Sequence, residues 1–280
     1  MSTVETWDAE RMESPVPPPG APPPGHEPYI RVRGLHKSFG PRHILRGLDF
    51  DIYRGETLVI LGLSGSGKTT FIKHLMGSLT VDQGELQVGS WDLRRMSGSD
   101  WSDYRTGMGV VFQHAALLGS LTVEQNVGLP LIEVERLPPD QIRQRVTKAL
   151  RRVFLPAEEI LHLKPASLSG GMRKRVGIAR AIIQDPDLLL YDEPTTGLDP
   201  VTVNGVNQLT RELQQSLGVT SVVITHDIDA AFTVGDRIAM LYKGRIIALG
   251  TVDEIRANDH PVLRQLLTGA VDGPLTEGFR

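Results

Sequence analysis

Cysteine is absent from these 280 residues, which excludes disulfides, thiolate catalysis and cysteine-ligated zinc or iron–sulfur centres. The lack fits a reducing compartment. Long apolar runs are missing too: Leu58–Leu61, Leu188–Tyr191 and Val222–Ile224 are short, whereas crossing a bilayer takes about 20 mostly apolar residues. The expectation is a chain without a membrane span. Nor is there an excess of one charge, because 30 Lys and Arg stand against 33 Asp and Glu for a formal net charge of -3. Binding to a phosphate backbone normally leaves a strong basic bias, so no nucleic-acid partner is expected. The first residues have neither the basic nor the apolar region of a secretory signal, and the expected location is the cytoplasm.

What is present is an ordinary globular composition, 40% hydrophobic and 22% charged. Residues 1–28 carry Pro15, Pro17, Pro18, Pro19, Pro22, Pro23 and Pro24 and read as a disordered, solvated tail. That tail is either a passive leader or a docking segment for an aromatic groove. From Tyr29 a strand-rich stretch gives way to alternating strands and helices, which implies an α/β fold with a largely parallel sheet covered on both faces. One domain is expected over 29–270, with a mainly helical insertion at about 92–168 and a C-terminal tail over 271–280. Within the insertion Ile142, Val146, Leu150 and Val153 recur at helical spacing and leave Arg143, Arg145, Lys148, Arg151 and Arg152 on other faces. Such a face is either simply solvated or attracted to anionic lipid headgroups or an acidic partner surface.

The run Thr57–Leu61 leads into Gly62-Leu63-Ser64-Gly65-Ser66-Gly67-Lys68-Thr69 and then a helix beginning near Thr70, the strand–loop–helix setting that G-x-x-x-x-G-K-[ST] requires. Glycines let the backbone curl so that successive N–H groups point at phosphate oxygens, and the helix adds its positive end. Gly62, Ser64, Gly65, Ser66, Gly67, Lys68, Thr69 and Thr70 are therefore candidate nucleotide-binding residues. Lys68 can reach the β- and γ-phosphates, and the Thr69 hydroxyl can coordinate Mg²⁺. Further on, Leu188–Tyr191 ends in Asp192-Glu193, two carboxylates at the C-terminal edge of a buried strand, where ligands of open α/β sheets bind. Asp192 is placed to hold the metal and Glu193 to polarise an attacking water.

Between these motifs stands Leu168-Ser169-Gly170-Gly171-Met172, opening a helix that runs to about Ile183. Phosphate loop, Gln113, LSGG, the acid pair, Gly197-Leu198-Asp199 and His226 follow one another in the order of the ABC ATPase family, which the chain resembles from Tyr29 to about Ile255. The resemblance implies a P-loop NTPase fold of the ABC type: a RecA-like parallel core, an N-terminal antiparallel β-subdomain and an inserted α-helical subdomain. It implies ATP and Mg²⁺ as cofactors. Phe39 resembles the aromatic that stacks on adenine, Gln113 the glutamine that touches metal and water, and His226 the histidine at the γ-phosphate. Ser169, Gly170 and Gly171, with Asp199, would complete the site of a second copy, so a homodimer is expected.

Val111–Leu118, Val123–Leu131 and the ending His260–Gly269 with Val271–Leu275 are similar to phospholipid-transport ATPases of the Mla and Mce type. This likeness implies membrane permease subunits, an Mce-type lipid-binding component, a small cytoplasmic regulator and a peripheral place on the cytoplasmic face of the inner membrane. His114, Leu117, Leu118 and Leu121 are expected beside a groove that receives a permease helix. Two readings compete: an ATPase for another importer or exporter, and a non-transport ABC ATPase acting on ribosomes or DNA. Against the second, there is no tandem cassette and no sustained heptad pattern.

Overall fold

The computed structural model describes residues 28–276; the proline-rich segment lies outside them except for Pro28, as do the last four residues of the C-terminal tail. Strands β1 (Pro28–Phe39) and β2 (Arg42–Tyr53) form a long antiparallel hairpin, and β3 (Thr57–Leu61) leads into α1 (Lys68–Leu75). After β4 (Gln83–Val88), β5 (Trp91–Asp92) and α2 (Gly98–Thr106) comes the four-residue β6 (Met108–Val111). Helices α3 (Val123–Pro130), α4 (Pro139–Arg152), α5 (Ala157–Ile160) and α6 (Gly170–Ala181) follow. The chain then alternates β7 (Leu188–Asp192), α7 (Pro200–Leu217), β8 (Thr220–Thr225), α8 (Ile228–Val234) and β9 (Arg237–Tyr242). It ends in β10 (Arg245–Thr251), α9 (Val252–Ala257) and α10 (Pro261–Thr268).

Two sheets result, an antiparallel one ordered β2-β1-β4-β5 and a six-stranded one ordered β10-β9-β3-β8-β7-β6, parallel except for β10. Side chains alternate along a strand, so β3 serves two cores at once. Leu58 and Ile60 pack with Val32, Phe50, Phe71 and Leu86 on the side of the antiparallel sheet, whereas Val59 and Leu61 join Val123, Val146, Val176 and Val206 on the helical side. Every residue of β3 is buried, which suits a central parallel strand.

The stretch 91–168, expected to be mainly helical, contains β5 and β6, and β6 is the edge strand of the core sheet beside β7. Four residues with Gly109 among them are too short a run to carry a strand pattern in the sequence. A Cβ there would lie 2.1 Å from the Ala181 carbonyl, so the glycine lets the end of α6 sit directly on the strand. In the following helices Thr122 caps α3 in a reciprocal box with Gln125, and Ile142, Val146 and Leu150 of α4 are buried, as their helical spacing predicts. The basic face of α4 is largely neutralised, with Arg145 paired to Glu135, Arg151 to Glu158 and Arg152 to Asp185. At the C-terminus Gln265 accepts from the Leu275 amide and donates to the Ala270 carbonyl, folding the turn after α10 back onto its own helix.

Candidate active site

Four neighbouring strands, β3, β8, β7 and β6, deliver the chemistry at their C-terminal ends: the glycine loop after β3, His226 after β8, Asp192 and Glu193 at the end of β7, and Gln113 shortly after β6. Parallel pairing aligns these ends, which is why residues far apart in sequence meet. They line a cleft of 460 Å³ together with Ser64, Gly65, Gly67, Thr69 and Thr70. Ile44 of β2 also lines it, a contribution that carries no polar signature in the sequence.

The loop has the backbone its glycines permit. Gly67 sits at φ +113°, where a Cβ would also approach the Leu45 side chain to 2.8 Å, and a Cβ on Gly62 would lie 2.4 Å from the Leu241 carbonyl. Ser66 is buried and its hydroxyl has no hydrogen-bond partner, an orphan donor at a place built for anions. Lys68 donates to the Gly62 carbonyl at 2.7 Å and to that of Leu63 at 3.2 Å, and lies 3.6 Å from Glu193. Burial pulls its ammonium below the ordinary lysine range, with Glu193 opposing that shift.

Glu193 Oε2 lies 2.8 Å from His226 Nδ1, so the carboxylate is held between a lysine and a histidine. Its backbone adopts φ +47°, a left-handed conformation that a non-glycine residue enters at a cost of about 1 kcal/mol. The carboxylate lines the same cleft as Asp192. Burial, then the Glu193 charge, raises the Asp192 carboxyl above the usual carboxylate value, while Lys73, Lys68 and Lys174 lower it.

Thr69, Gln113 and Asp192 offer hydroxyl, amide and carboxylate oxygens to this cleft. Among the described residues no group of three or more His, Cys, Asp or Glu side chains gathers to cage a metal. A hard-oxygen set with one carboxylate fits Mg²⁺, which keeps waters and phosphate oxygens as its other ligands.

The remaining expected residues do not line the cleft. Phe39 ends β1 with 48% of its surface exposed, above the ammonium of Lys37, which is ion-paired to Asp82 at 2.6 Å. Asp82 also accepts from the Ser38 amide at 2.9 Å, so it grips two consecutive residues before Phe39. Ser169 caps α6 through the Met172 amide, and Gly170 and Gly171 form its first turn. Asp199 caps α7 through the Thr202 amide and hydroxyl, a structural duty that holds its carboxyl below the usual range. The apolar groove beside Gln113 is lined by Phe112, Ala116, Leu129 and Pro130, not by His114, Leu117, Leu118 or Leu121. Asn126 pins Leu118 by both backbone groups.

A family description, "ABC transporter", matches residues 45–196. The chain is 38% identical over 246 residues to the "Probable ribonucleotide transport ATP-binding protein mkl" of Mycobacterium leprae, covering 88% of this chain and 70% of that one. It is 35% identical to the "Intermembrane phospholipid transport system ATP-binding protein MlaF" of Haemophilus influenzae, over 88% of this chain and 92% of the relative. The "Methionine import ATP-binding protein MetN" of Rhizobium etli is 37% identical, over 88% and 67%. Among solved structures, a dimeric ATP-binding cassette in a post-hydrolysis state bound to ADP and Pi superposes with a TM-score of 0.72 at 32% identity, over 80% of this chain and 98% of that one. Motif order, cleft and likeness agree, and the chain belongs to the ABC transporter family as an ATP-binding subunit that hydrolyses ATP.

Proposed function

We propose that this subunit works as a head-to-tail homodimer powering phospholipid transport by separate membrane permease subunits. The observation that carries the dimer is the split of the site: Lys68, Gln113, Asp192, Glu193 and His226 share one cleft, while Ser169, Gly170 and Gly171 lie outside it. A second copy related by two-fold symmetry brings its own α6 N-terminus over the phosphates, where a helix end favours anions. The likeness to a solved cassette dimer supports this arrangement.

In each site the backbone amides of residues 62–69 and the Lys68 ammonium hold the β- and γ-phosphates. Moving onto phosphate releases Lys68 from the Gly62 and Leu63 carbonyls that otherwise engage it. Thr69, Gln113 and Asp192 would hold Mg²⁺, which when bound would neutralise charge on the transferring group. Glu193 orients and polarises the attacking water, and His226 fixes the carboxylate by its 2.8 Å contact and faces the γ-phosphate. Phe39 stacks on adenine. ATP binding closes the dimer, and hydrolysis reopens it.

No helix among the described residues is long and apolar enough to cross a membrane, so permease subunits must supply the path, and this subunit sits peripherally beneath them on the cytoplasmic face of the inner membrane. The phospholipid reading rests on the MlaF likeness, which spans nearly the whole of that relative, and it brings with it an Mce-type component and a small regulator. The MetN likeness favours a second reading, an amino-acid importer with the same catalytic residues. The deciding experiment is a pull-down from native membranes with the Glu193→Gln form, identifying co-purified proteins and lipid. A permease carrying phospholipid upholds the first reading; an amino-acid permease without bound lipid replaces it with the second.

A further inference from the structure

The loop that carries Gln113 is held by the helix that Ser169 opens. On one face of α6, three residues at helical spacing meet it. Lys174, itself buried, donates its ammonium to the Gln113 carbonyl. Arg180 forks, giving one N–H to the Ala116 carbonyl and another to that of Ala115, both at 2.8 Å. Between them Gly177 leaves room for Ala115, whose Cβ lies 3.1 Å from where a Cβ on the glycine would be.

What they hold is strained. Ala115 and Ala116 stand at φ 59° and 46°, two consecutive left-handed alanines with neither the freedom of glycine nor a side chain that could bond its own backbone. Such a turn persists only where its surroundings over-determine it. Lys174 and Arg180 satisfy the carbonyls of Gln113, Ala115 and Ala116, of which Ala115 is buried, and a buried carbonyl left unpaired would favour a different loop conformation. At the far end of the loop, fully buried Asn126 of α3 fixes Leu118. The loop is thus tied to α6 and α3 by side chains, and to the core sheet through the backbone leaving β6.

We propose that Lys174 and Arg180 are positioning residues that staple the Gln113 loop to α6, so that Gln113 and the helix whose N-terminus covers the second copy's phosphates move as one rigid body. The inference rests on the reading of Gln113 as a magnesium ligand only for its effect on metal, and stands without it for the motion. Burial pulls the Lys174 ammonium below the ordinary lysine range, and the charge of Asp192 opposes that shift. A signal that moves Gln113 must then move α6, and separating the two requires breaking these contacts.

The absence of cysteine makes the test direct, because a His114→Cys, Gln184→Cys pair can be spin-labelled without background. His114 lies in the loop and is exposed, and Gln184 follows the end of α6. In the otherwise unchanged full chain, the distance distribution between labels should be narrow and the same with and without ATP. Adding Lys174→Met and Arg180→Met should broaden it. In the same double variant, without the labels, half-saturation by Mg²⁺ should rise about tenfold, the scale on which the supports of metal ligands act. A distribution that stays narrow in the double variant overturns the staple, as does one that shifts on ATP binding in the labelled parent. If the double variant does not fold, Arg180→Lys, which keeps one charged donor, and Lys174→Gln are measured singly against the same criteria. Gln113→Ala separates the two inferences: if it leaves the Mg²⁺ dependence unaltered, the ligand reading of Gln113 fails while the distance result still judges the staple.

Discussion

Glu193 is the residue on which the proposed chemistry turns, a carboxylate fixed between Lys68 and His226 at φ +47°. Replacing it with glutamine keeps size and hydrogen bonding but removes the charge that the proposed general-base role needs, and losing a general base costs about 10²- to 10⁴-fold in turnover. Glu193→Gln should therefore bind ATP as the parent does while its kcat falls on that scale; filter-binding of labelled ATP beside steady-state hydrolysis measures both. Asp82 shows a quieter dependence. The Lys37 ammonium and the Ser38 amide hold its carboxyl below the usual value of 3.8. On acidification the unfolded chain takes up this proton first, so the contribution of Asp82 to stability is intact above 3.8 and disappears as pH falls through the lower folded value. Asp82→Asn should flatten that acid-side loss, read as urea midpoints across the acid range. Because Asp82 grips the residues before Phe39, the same variant should raise KM for ATP with kcat preserved.

Among the elements, β6 and the segment after it connect catalysis to the outside. The strand pairs with β7, the bearer of Asp192 and Glu193, and one residue beyond it Phe112 lies partly exposed in an apolar groove walled by Leu129 and Pro130 of α3. A groove of this kind, next to Gln113, suits a short helix of a permease. Phe112→Glu should uncouple the permease, so that transport in reconstituted vesicles is lost and basal ATP hydrolysis by the isolated subunit stays within about twofold, as surface substitutions usually do. Loss of nucleotide binding in this variant would instead assign Phe112 to the core.

At the scale of the whole molecule, the proposed head-to-tail dimer makes each copy half of two active sites. Ser169, Gly170 and Gly171 lie outside the copy's own cleft, so under that proposal hydrolysis should depend on dimer formation. Specific activity should climb with protein concentration and level off, in step with the dimer fraction from analytical ultracentrifugation. A dilute monomer that turned over as fast as the concentrated protein would sink the split-site arrangement. Mixing subunits carrying Ser169→Arg with subunits carrying Lys68→Ala should restore activity in part, because one of the two composite sites in such a mixed dimer is intact.

Much of this was readable from the sequence because it is local. Gly62–Thr69 between a strand and a helix, Asp192-Glu193 at a strand end and Ile142, Val146 and Leu150 at helical spacing are short patterns whose geometry follows from backbone chemistry within a few residues. Absences are equally local, hence the exclusion of cysteine chemistry and of a membrane-spanning run. The lining of the apolar groove near Gln113, the place of β6 in the core sheet, the position of Ile44 at the cleft and the contacts of Lys174 and Arg180 with the Gln113 loop were not readable. Each of these joins residues of no distinctive pattern across gaps such as 61 or 65 positions, and strand order and helix packing bring them together. Sequence determined which groups can do chemistry, since that is a property of residue type and near neighbours. Only the tertiary structure decided what holds those groups in place, since support comes from whichever distant side chain the packed fold sets beside them.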